Sequence, residues 1–358
     1  MNDPAPSPGP TEQPAAAAPT PAQPLAAGIR VEFVVEANYA GWTLADYVAE
    51  KLPRLERVKL LRMLRGRALV HGEAEPLLPE TRIWPGLRFA LRKRAPGDEG
   101  EPPEIPVIYQ DAALLIVDKP AYLALHPTAR YHLTTLTHAL ATRHRDAEGN
   151  KPDPAHRLDR ETSGLVACGR APWATKRLKA AFAARQVDKT YLALCEGAAA
   201  QDAFAIELPL AVGTERIKVK VRVCDEGALA ATDCAVVARL RDAAGAQLTL
   251  IRCVPRTGRQ HQLRAHLAAV GLPIVGDKLY GVDEGIFLRL AESNAGPAKA
   301  GSFDPLITAE ERSALRLPRH ALHAETLIVP HPETSARMRF VAPLPADLAA
   351  LLATLQPA

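Results

Sequence analysis

Residues 156–165 read HRLDRETSGL and place one carboxylate, Asp159, between the guanidinium groups of Arg157 and Arg160. An arginine neighbour favours the ionised form of an aspartate and depresses its pKa, typically by about one to three units. A carboxylate held anionic cannot donate a proton. It can attack an electrophilic carbon, or it can accept a proton. Three other stretches carry residues of related use. LLIVDKPAYLALHP (114–127) delivers Asp118-Lys119-Pro120 and then His126. KTYLAL (189–194) puts Tyr191 behind Lys189. RTGRQHQLRAHLAAVGLPIVGDKLYG (256–281) is a Gly-bearing basic loop that feeds a helical pattern. Arg264 in this last stretch can supply a buried partner for Asp159. The same pair would equally serve as a structural staple between two segments. Breaking a buried pair leaves an uncompensated charge, at a cost of about 3–5 kcal/mol.

Other chemistries lack their residues. His261 and His266 are five positions apart and do not share a helical face well. His132, His138 and His144 recur every six positions and do not share one either. There is no H-E-x-x-H, no Gly-rich phosphate loop and no G-x-S-x-G elbow. Metal ligation is therefore not expected. A glycosidase wants two opposed carboxylates. Glu161 is too near Asp159 in sequence to oppose it across a sugar, and Glu196 is the other candidate.

Elements must position these residues. LLIVD (114–118), GLVAC (164–168) and KTYLALCEG (189–197) read as strands, as do FAIEL, IKVKVRV, ATDCAVVARL, QLTLIRCVP, HALHAETLIV and RMRFV. Helices are expected over 135–145, 174–186 and 260–271, with a closing helix from about Ala346. Helices inserted irregularly among many strands point to an α+β fold with a mostly antiparallel sheet, rather than a doubly wound one.

The chain has 358 residues, 47% of them apolar and only 5% aromatic, so the core must be aliphatic. Residues 1–28 are Pro/Ala-rich and read as a disordered tail. Residues 29–94 form a small unit with a helix at TLADYVAEKL, a basic helix from Arg57, a strand ALV and a second strand in IWPGLRFALRKR. Eleven Lys or Arg face four acids between Arg54 and Arg94, an excess of seven against a whole-chain charge of +4. A basic face on a small domain is the electrostatic footprint of a nucleic-acid binder, although an ordinary solvated helix face has the same composition. Residues 95–106 are acidic and Pro-rich, as in a linker, and 107–358 form the larger domain. Five scattered cysteines, no C-x-x-C, no secretory signal and no long apolar run suggest a cytoplasmic protein with reduced thiols.

The four stretches, in this order, resemble the RluA-type pseudouridine synthases, whose catalytic signature H-R-L-D-x-x-T-S-G-L stands here without departure. The unit at 29–94 resembles the S-four RNA-binding domain, with HGE where that family usually has an Asn-Gly turn. The resemblance implies a pseudouridine synthase fold and an isomerase that converts uridine to pseudouridine in RNA without metal or cofactor. It implies Asp159 as the catalytic aspartate, attacking the sugar or removing its 2′ proton. It implies Tyr191 packing on the base and helping move the proton lost from C5, and Arg264 paired with Asp159. Arg157 would enter the RNA where the uridine leaves its stack. Arg160, Arg259 and His261, with Arg62 and Arg65 of the basic helix, would contact RNA. Large-subunit ribosomal RNA is the favoured partner, with transfer RNA as the alternative. No membrane partner is implied, and a monomer is the default. Two rival readings remain: a non-catalytic RNA-binding or ribosome-assembly factor, and a glycosidase releasing free uracil. About 38 residues, 282–319, separate Tyr280-Gly281 from HALHAETL, where many relatives in that family need only a short connection. They are expected to be a surface insertion, or alternatively a substrate-recognition element.

Overall fold

In a computed structural model, residues 29–53, 57–66, 69–71, 75–93, 103–128, 131, 133–213, 217–292 and 301–358 are described. The expected tail and most of the expected linker lie outside them.

The amino-terminal unit contains β1 (Ile29–Val34), α1 (Leu44–Lys51), α2 (Arg57–Gly66), β2 (Leu69–His71), β3 (Glu75–Pro76) and β4 (Arg88–Lys93). Its sheet runs β1-β4-β2-β3. Helix α1 starts where Thr43 Oγ1 accepts the Asp46 N–H. Leu44, Tyr47 and Val48 then recur at helical spacing and bury against Leu60 and Leu64 of α2 and Phe89 of β4. Arg62 and Arg65 fall on α2, with their side chains outside the described residues.

The larger unit is built on β5 (Val107–Gln110), β6 (Leu114–Lys119), α3 (Leu136–Arg143), β7 (Asp153–Pro154), β8 (Ser163–Gly169), α4 (Pro172–Ala183) and β9 (Asp188–Glu196). The strands β10 (Ala203–Ile206), β11 (Leu210–Val212), β12 (Val221–Val223), β13 (Thr232–Arg241) and β14 (Gln247–Pro255) follow. Then come α5 (Gln262–Ala269), α6 (Glu284–Glu292), α7 (Ala309–Leu315), β15 (Leu322–Pro330), β16 (Arg337–Val341) and α8 (Ala346–Ala353). The main sheet runs β10-β13-β14-β9-β15-β8-β6-β5. It is antiparallel except where β8 meets β15, as the α+β expectation required.

The unbroken apolar run of β6 reflects a strand covered on both faces. Leu115 and Val117 point to the core under α3, α5 and α8, while Leu114 and Ile116 point to the core under α4. Residues of β8 divide the same way, Val166 and Cys168 against Leu165 and Ala167. One expected strand is shorter than its alternation suggested. In IKVKVRV only Val221–Val223 pairs, because Lys218 and Val219 form the turn joining β11 to β12.

The centre of the sheet positions the site. Gly164 of β8 lies opposite Ala324 of β15, which lies opposite Tyr191 of β9. Gly164 has φ +114°, and a Cβ there would sit 2.3 Å from the Ala324 carbonyl oxygen. Only glycine allows so close an approach. It sets β8, and the loop before it that carries Asp159, one intervening strand away from Tyr191 of β9.

Candidate active site

Asp159 lies in the loop between β7 and β8, in a turn closed by the Thr162 N–H donating to its carbonyl at 3.1 Å. Three ties hold this loop. Thr162 Oγ1 meets His320 Nε2 at 2.8 Å, and Ser163 Oγ meets His323 Nδ1 at 3.0 Å. From below, the buried Lys119 ammonium donates to the carbonyls of Pro120, Leu123 and Arg160 at 2.9, 3.0 and 3.2 Å. Burial pushes the Lys119 pKa down to about 7. His156 stacks on Phe182 and accepts the Ala167 N–H at 3.0 Å, so it orders the loop as the sequence suggested.

Helix α5 brings the cation. Arg264 Nη1 donates to Asp159 Oδ2 at 3.1 Å. Its other two nitrogens grip a second carboxylate, with Nε to Asp277 Oδ2 at 2.6 Å and Nη2 to Asp277 Oδ1 at 2.9 Å. Asp277 is fully buried and also accepts the Leu279 and Tyr280 N–H groups. Burial alone would raise its pKa, but the Arg264 guanidinium holds it well below the usual carboxylate range. The Tyr280 ring lies under the Arg264 guanidinium, 5.0 Å from its central carbon. The Tyr280 hydroxyl meets His261 Nδ1 at 3.0 Å.

Burial also opposes ionisation of Asp159, and the charges of His261 and Arg264 more than offset it, so its pKa is lowered. Of the two, Arg264 is the permanent partner. His261 Nε2 is 3.7 Å from Asp159 Oδ2, but burial lowers its own pKa to about 4 and leaves the ring neutral near pH 7. Asp159 is therefore a carboxylate kept anionic at the wall of a cleft, with its side chain 21% exposed.

The cleft has a volume of about 590 Å³ and is lined by Asp159, Tyr191 and Arg264 together. The Tyr191 hydroxyl is unpaired among the described residues. Burial and the Asp159 charge raise its pKa, so it is a neutral phenol. Arg157 and Arg259 are exposed at the same cleft. The Arg157 guanidinium makes no hydrogen bond or ion pair among the described residues, while Arg259 Nε reaches the Leu229 carbonyl at 3.2 Å. Gln262 shapes this basic loop by accepting from Thr257 Oγ1 and the Arg259 N–H at 2.7 and 3.0 Å. Arg256 pairs with Asp233 and Glu207, which makes it a loop anchor. His266 is a core residue between Thr232 and the Leu208 carbonyl.

Arg160 turns away from this cleft. It pairs with Glu161 at 3.1 Å and lies over the rings of Tyr122 and Tyr131. Glu161 is held by Lys278 at 2.9 Å. Burial opposes its ionisation, but the Lys278 charge brings its pKa to about 2. Glu196, the other carboxylate considered for a glycosidase, is taken by Arg316 at 2.8 Å. Neither is free to act as an acid opposite Asp159. Asp277, Tyr280, Lys278 and His320 were not legible as site residues in the sequence. The only signal was the polar string GDKLYG after α5, in a position where a buried turn would otherwise be apolar.

A family model described as RNA pseudouridylate synthase matches residues 113–269. The chain is 34% identical over 342 residues to the ribosomal large subunit pseudouridine synthase D of Xanthomonas campestris, covering 93% of this chain and 95% of that protein. It is 31% identical over 325 residues to the protein of the same name from Pseudomonas aeruginosa, covering 88% and 92%. Among solved structures, human RNA pseudouridylate synthase domain containing 1 shares the fold, with a TM-score of 0.54 and 24% identity over 73% of this chain and 91% of that one. The matched segment contains Asp159, Tyr191 and Arg264, and the likeness to the bacterial relatives runs along nearly their whole length. The chain belongs to the RluA-type RNA pseudouridine synthases, which isomerise uridine to pseudouridine in RNA.

Proposed function

We propose that this protein isomerises specific uridines of large-subunit ribosomal RNA in the cytoplasm, with Asp159 as its catalytic group. The observation that carries the reading is the anionic Asp159, held by Arg264 in a cleft that is also lined by the Tyr191 phenol, unpaired among the described residues. The reaction breaks the bond from C1′ to N1, turns the uracil and joins C1′ to C5. C5 loses a proton and N1 gains one, so the formula is unchanged. An anionic carboxylate serves the first step as nucleophile at C1′ or as base at the 2′ position. A neutral phenol moves the C5 proton only by accepting it while passing its own on, which suits Tyr191 as a relay against the base face.

Chemistry at C1′ requires the nucleotide to leave its stack, at a cost of a few kcal/mol. The exposed Arg157 guanidinium is placed to replace the lost stacking, and Arg259 and His261 to meet the adjoining backbone. The amino-terminal unit, with its S-four-like order of elements and with Arg62 and Arg65 on α2, supports a separate RNA contact. The names of the bacterial relatives support the ribosomal target. Among the described residues no helix is long and apolar enough to cross a membrane.

The test is a map of carbodiimide-labelled pseudouridines, read by reverse transcription, in RNA from cells with and without the gene. Stops lost at one or a few large-subunit positions are expected. Loss in transfer RNA instead would overturn the target and keep the chemistry. Loss nowhere, with the protein expressed, would favour the non-catalytic RNA-binding reading.

A further inference from the structure

The described parts of the 282–319 segment, 282–292 and 301–319, reach the site. Together with the loop after β6 they wall a second cavity of about 780 Å³. This cavity meets the catalytic cleft along Arg157, Asp159, Gln260, His261 and Arg264. The segment has a small core of its own, Ile286, Ile307 and Leu315, that fixes α6 against α7. It is also clasped to the β11–β12 hairpin by the Lys220–Glu284 ion pair at 2.6 Å. The turn of that hairpin is held in turn by Gln260 Nε2, which donates to the Val219 carbonyl at 3.2 Å.

The lining is aromatic and apolar on most sides, with Tyr122, Tyr131, Phe287 and Leu290. The Arg160 guanidinium lies 5.8 Å from the centre of the Tyr122 ring and 5.4 Å from that of Tyr131. The Tyr122 hydroxyl is buried without a partner among the described residues, on a backbone at φ 68°. A bulky residue adopts that region only under constraint, and such strain clusters at binding sites. On the insertion side the wall includes Asp304, whose Oδ1 accepts the Leu306 N–H at 3.0 Å. A carboxylate repels phosphate, whereas aromatic and guanidinium planes stack on any base. The cavity also meets cations, but Arg264 is taken by Asp159 and Asp277, and Arg160 and Lys278 by Glu161, while Arg157 lies at the edge shared with the cleft, so the interior suits a base better than the RNA backbone.

We propose that this cavity receives an unpaired base of the substrate RNA, next in the strand to the target uridine. Asp304 gives it a preference for a base bearing an exocyclic amino group, since a carboxylate accepts from such an amine. The proposal rests on the reading of the site given above. It makes the insertion a determinant of which uridine is used. Unpaired bases held on aromatic planes are the usual basis of sequence-specific RNA recognition.

The test uses the full chain and a synthetic stem-loop around the uridine mapped above, with each flanking nucleotide replaced singly by an abasic residue. One position should lower the wild-type kcat/KM about 5- to 150-fold, the range of one base–aromatic stack. In Phe287→Ala that penalty should vanish, while the penalties at other positions persist. Asp304→Asn keeps an acceptor for the Leu306 N–H, and it should erase the preference for cytosine over uracil at the same position. Equal penalties in wild type and Phe287→Ala at every position, with base preference unchanged in Asp304→Asn, would remove the subsite and leave the synthase reading intact. A wild-type chain that forms no pseudouridine in any RNA would overturn both.

Discussion

Arg264 holds Asp159 with one nitrogen while it grips Asp277 with two. The geometry divides labour between the carboxylates. Asp277 is buried, doubly hydrogen-bonded to the guanidinium and capped by backbone N–H groups, so it fixes the cation. Asp159 takes the remaining nitrogen through Oδ2, and its Oδ1 has no hydrogen-bond partner among the described residues. The cation is thus held rigidly whatever the bonding of Asp159.

Asp159→Asn should abolish pseudouridine formation and leave RNA affinity within about tenfold, because phosphate contacts dominate binding. Asparagine keeps an acceptor for Arg264 and removes only the negative charge. Tritium release from C5-labelled RNA and a binding titration at fixed salt measure the two effects. Retained turnover would refute the role.

Asp277→Asn should act mainly on stability. It leaves the deeply buried Arg264 with one charged partner in place of two, and losing a buried partner costs about 3–5 kcal/mol. Urea unfolding of the variant against wild type reads this directly. An unchanged midpoint would show that Asp159 alone suffices to hold the guanidinium.

These two residues also show what the sequence could tell. Asp159 was legible because its chemistry is packed into ten consecutive residues whose types are constrained together. Central strands were legible as well, since β6 and β8 are covered on both faces and carry unbroken apolar runs. Asp277 was not, because its role depends on Arg264 arriving from a helix 13 residues earlier and folding back over it. Lys278 was harder still, since its partner Glu161 is 117 residues away. Pairings of that range follow from the sheet order and not from local pattern. Strand β1 has a clear alternation, Ile29, Val31 and Phe33 against Arg30 and Glu32, but its partner β4 lies far along the chain. The insertion looked like surface decoration because of its Gly/Ala/Pro stretch and the alternating charge of ITAEERSAL, and only the fold shows that its apolar residues help close a cavity beside Asp159.

Acid sensitivity should follow from histidines kept neutral by burial. The pKa of His156 is lowered to about 3, first by burial and then by the Lys189 charge, and that of His320 to about 3. An unfolded histidine titrates near about 6.5. Below that pH the unfolded chain binds a proton that the native chain refuses, so stability falls as pH drops from about 6.5 toward 3. His156→Gln keeps an acceptor for the Ala167 N–H and removes one such site. The slope of unfolding free energy over pH 5–6 should then decrease by up to about 1.4 kcal/mol per pH unit. An unaltered slope would mean that His156 is not among the groups responsible.

Removal of residues 1–94 should weaken RNA binding more than it slows chemistry on a saturating short stem-loop. The removed segment carries the charge excess on and around α2, whereas Asp159, Tyr191 and Arg264 all lie beyond it. For every phosphate the protein no longer neutralises, the dependence of log K on log salt falls by about one unit. Affinity measured from low to moderate salt should therefore fall and become less salt-sensitive. An unchanged affinity and slope would show that the amino-terminal unit does not touch the RNA.

Gly164→Ala should destabilise the protein out of proportion to one methyl group. The new Cβ would lie 2.3 Å from the Ala324 carbonyl oxygen, on a backbone at φ +114° that alanine resists. Relief requires β8 and β15 to separate. Their separation moves the Asp159 loop away from Tyr191, because both are referenced to Ala324. Turnover of whatever fraction folds should therefore fall together with thermal stability. Gly149→Ala, also at positive φ but with no atom within 4 Å of the new Cβ, provides the control. If the two variants lose stability and turnover alike, backbone conformation alone explains Gly164, and the close approach of the two strands does not position the site.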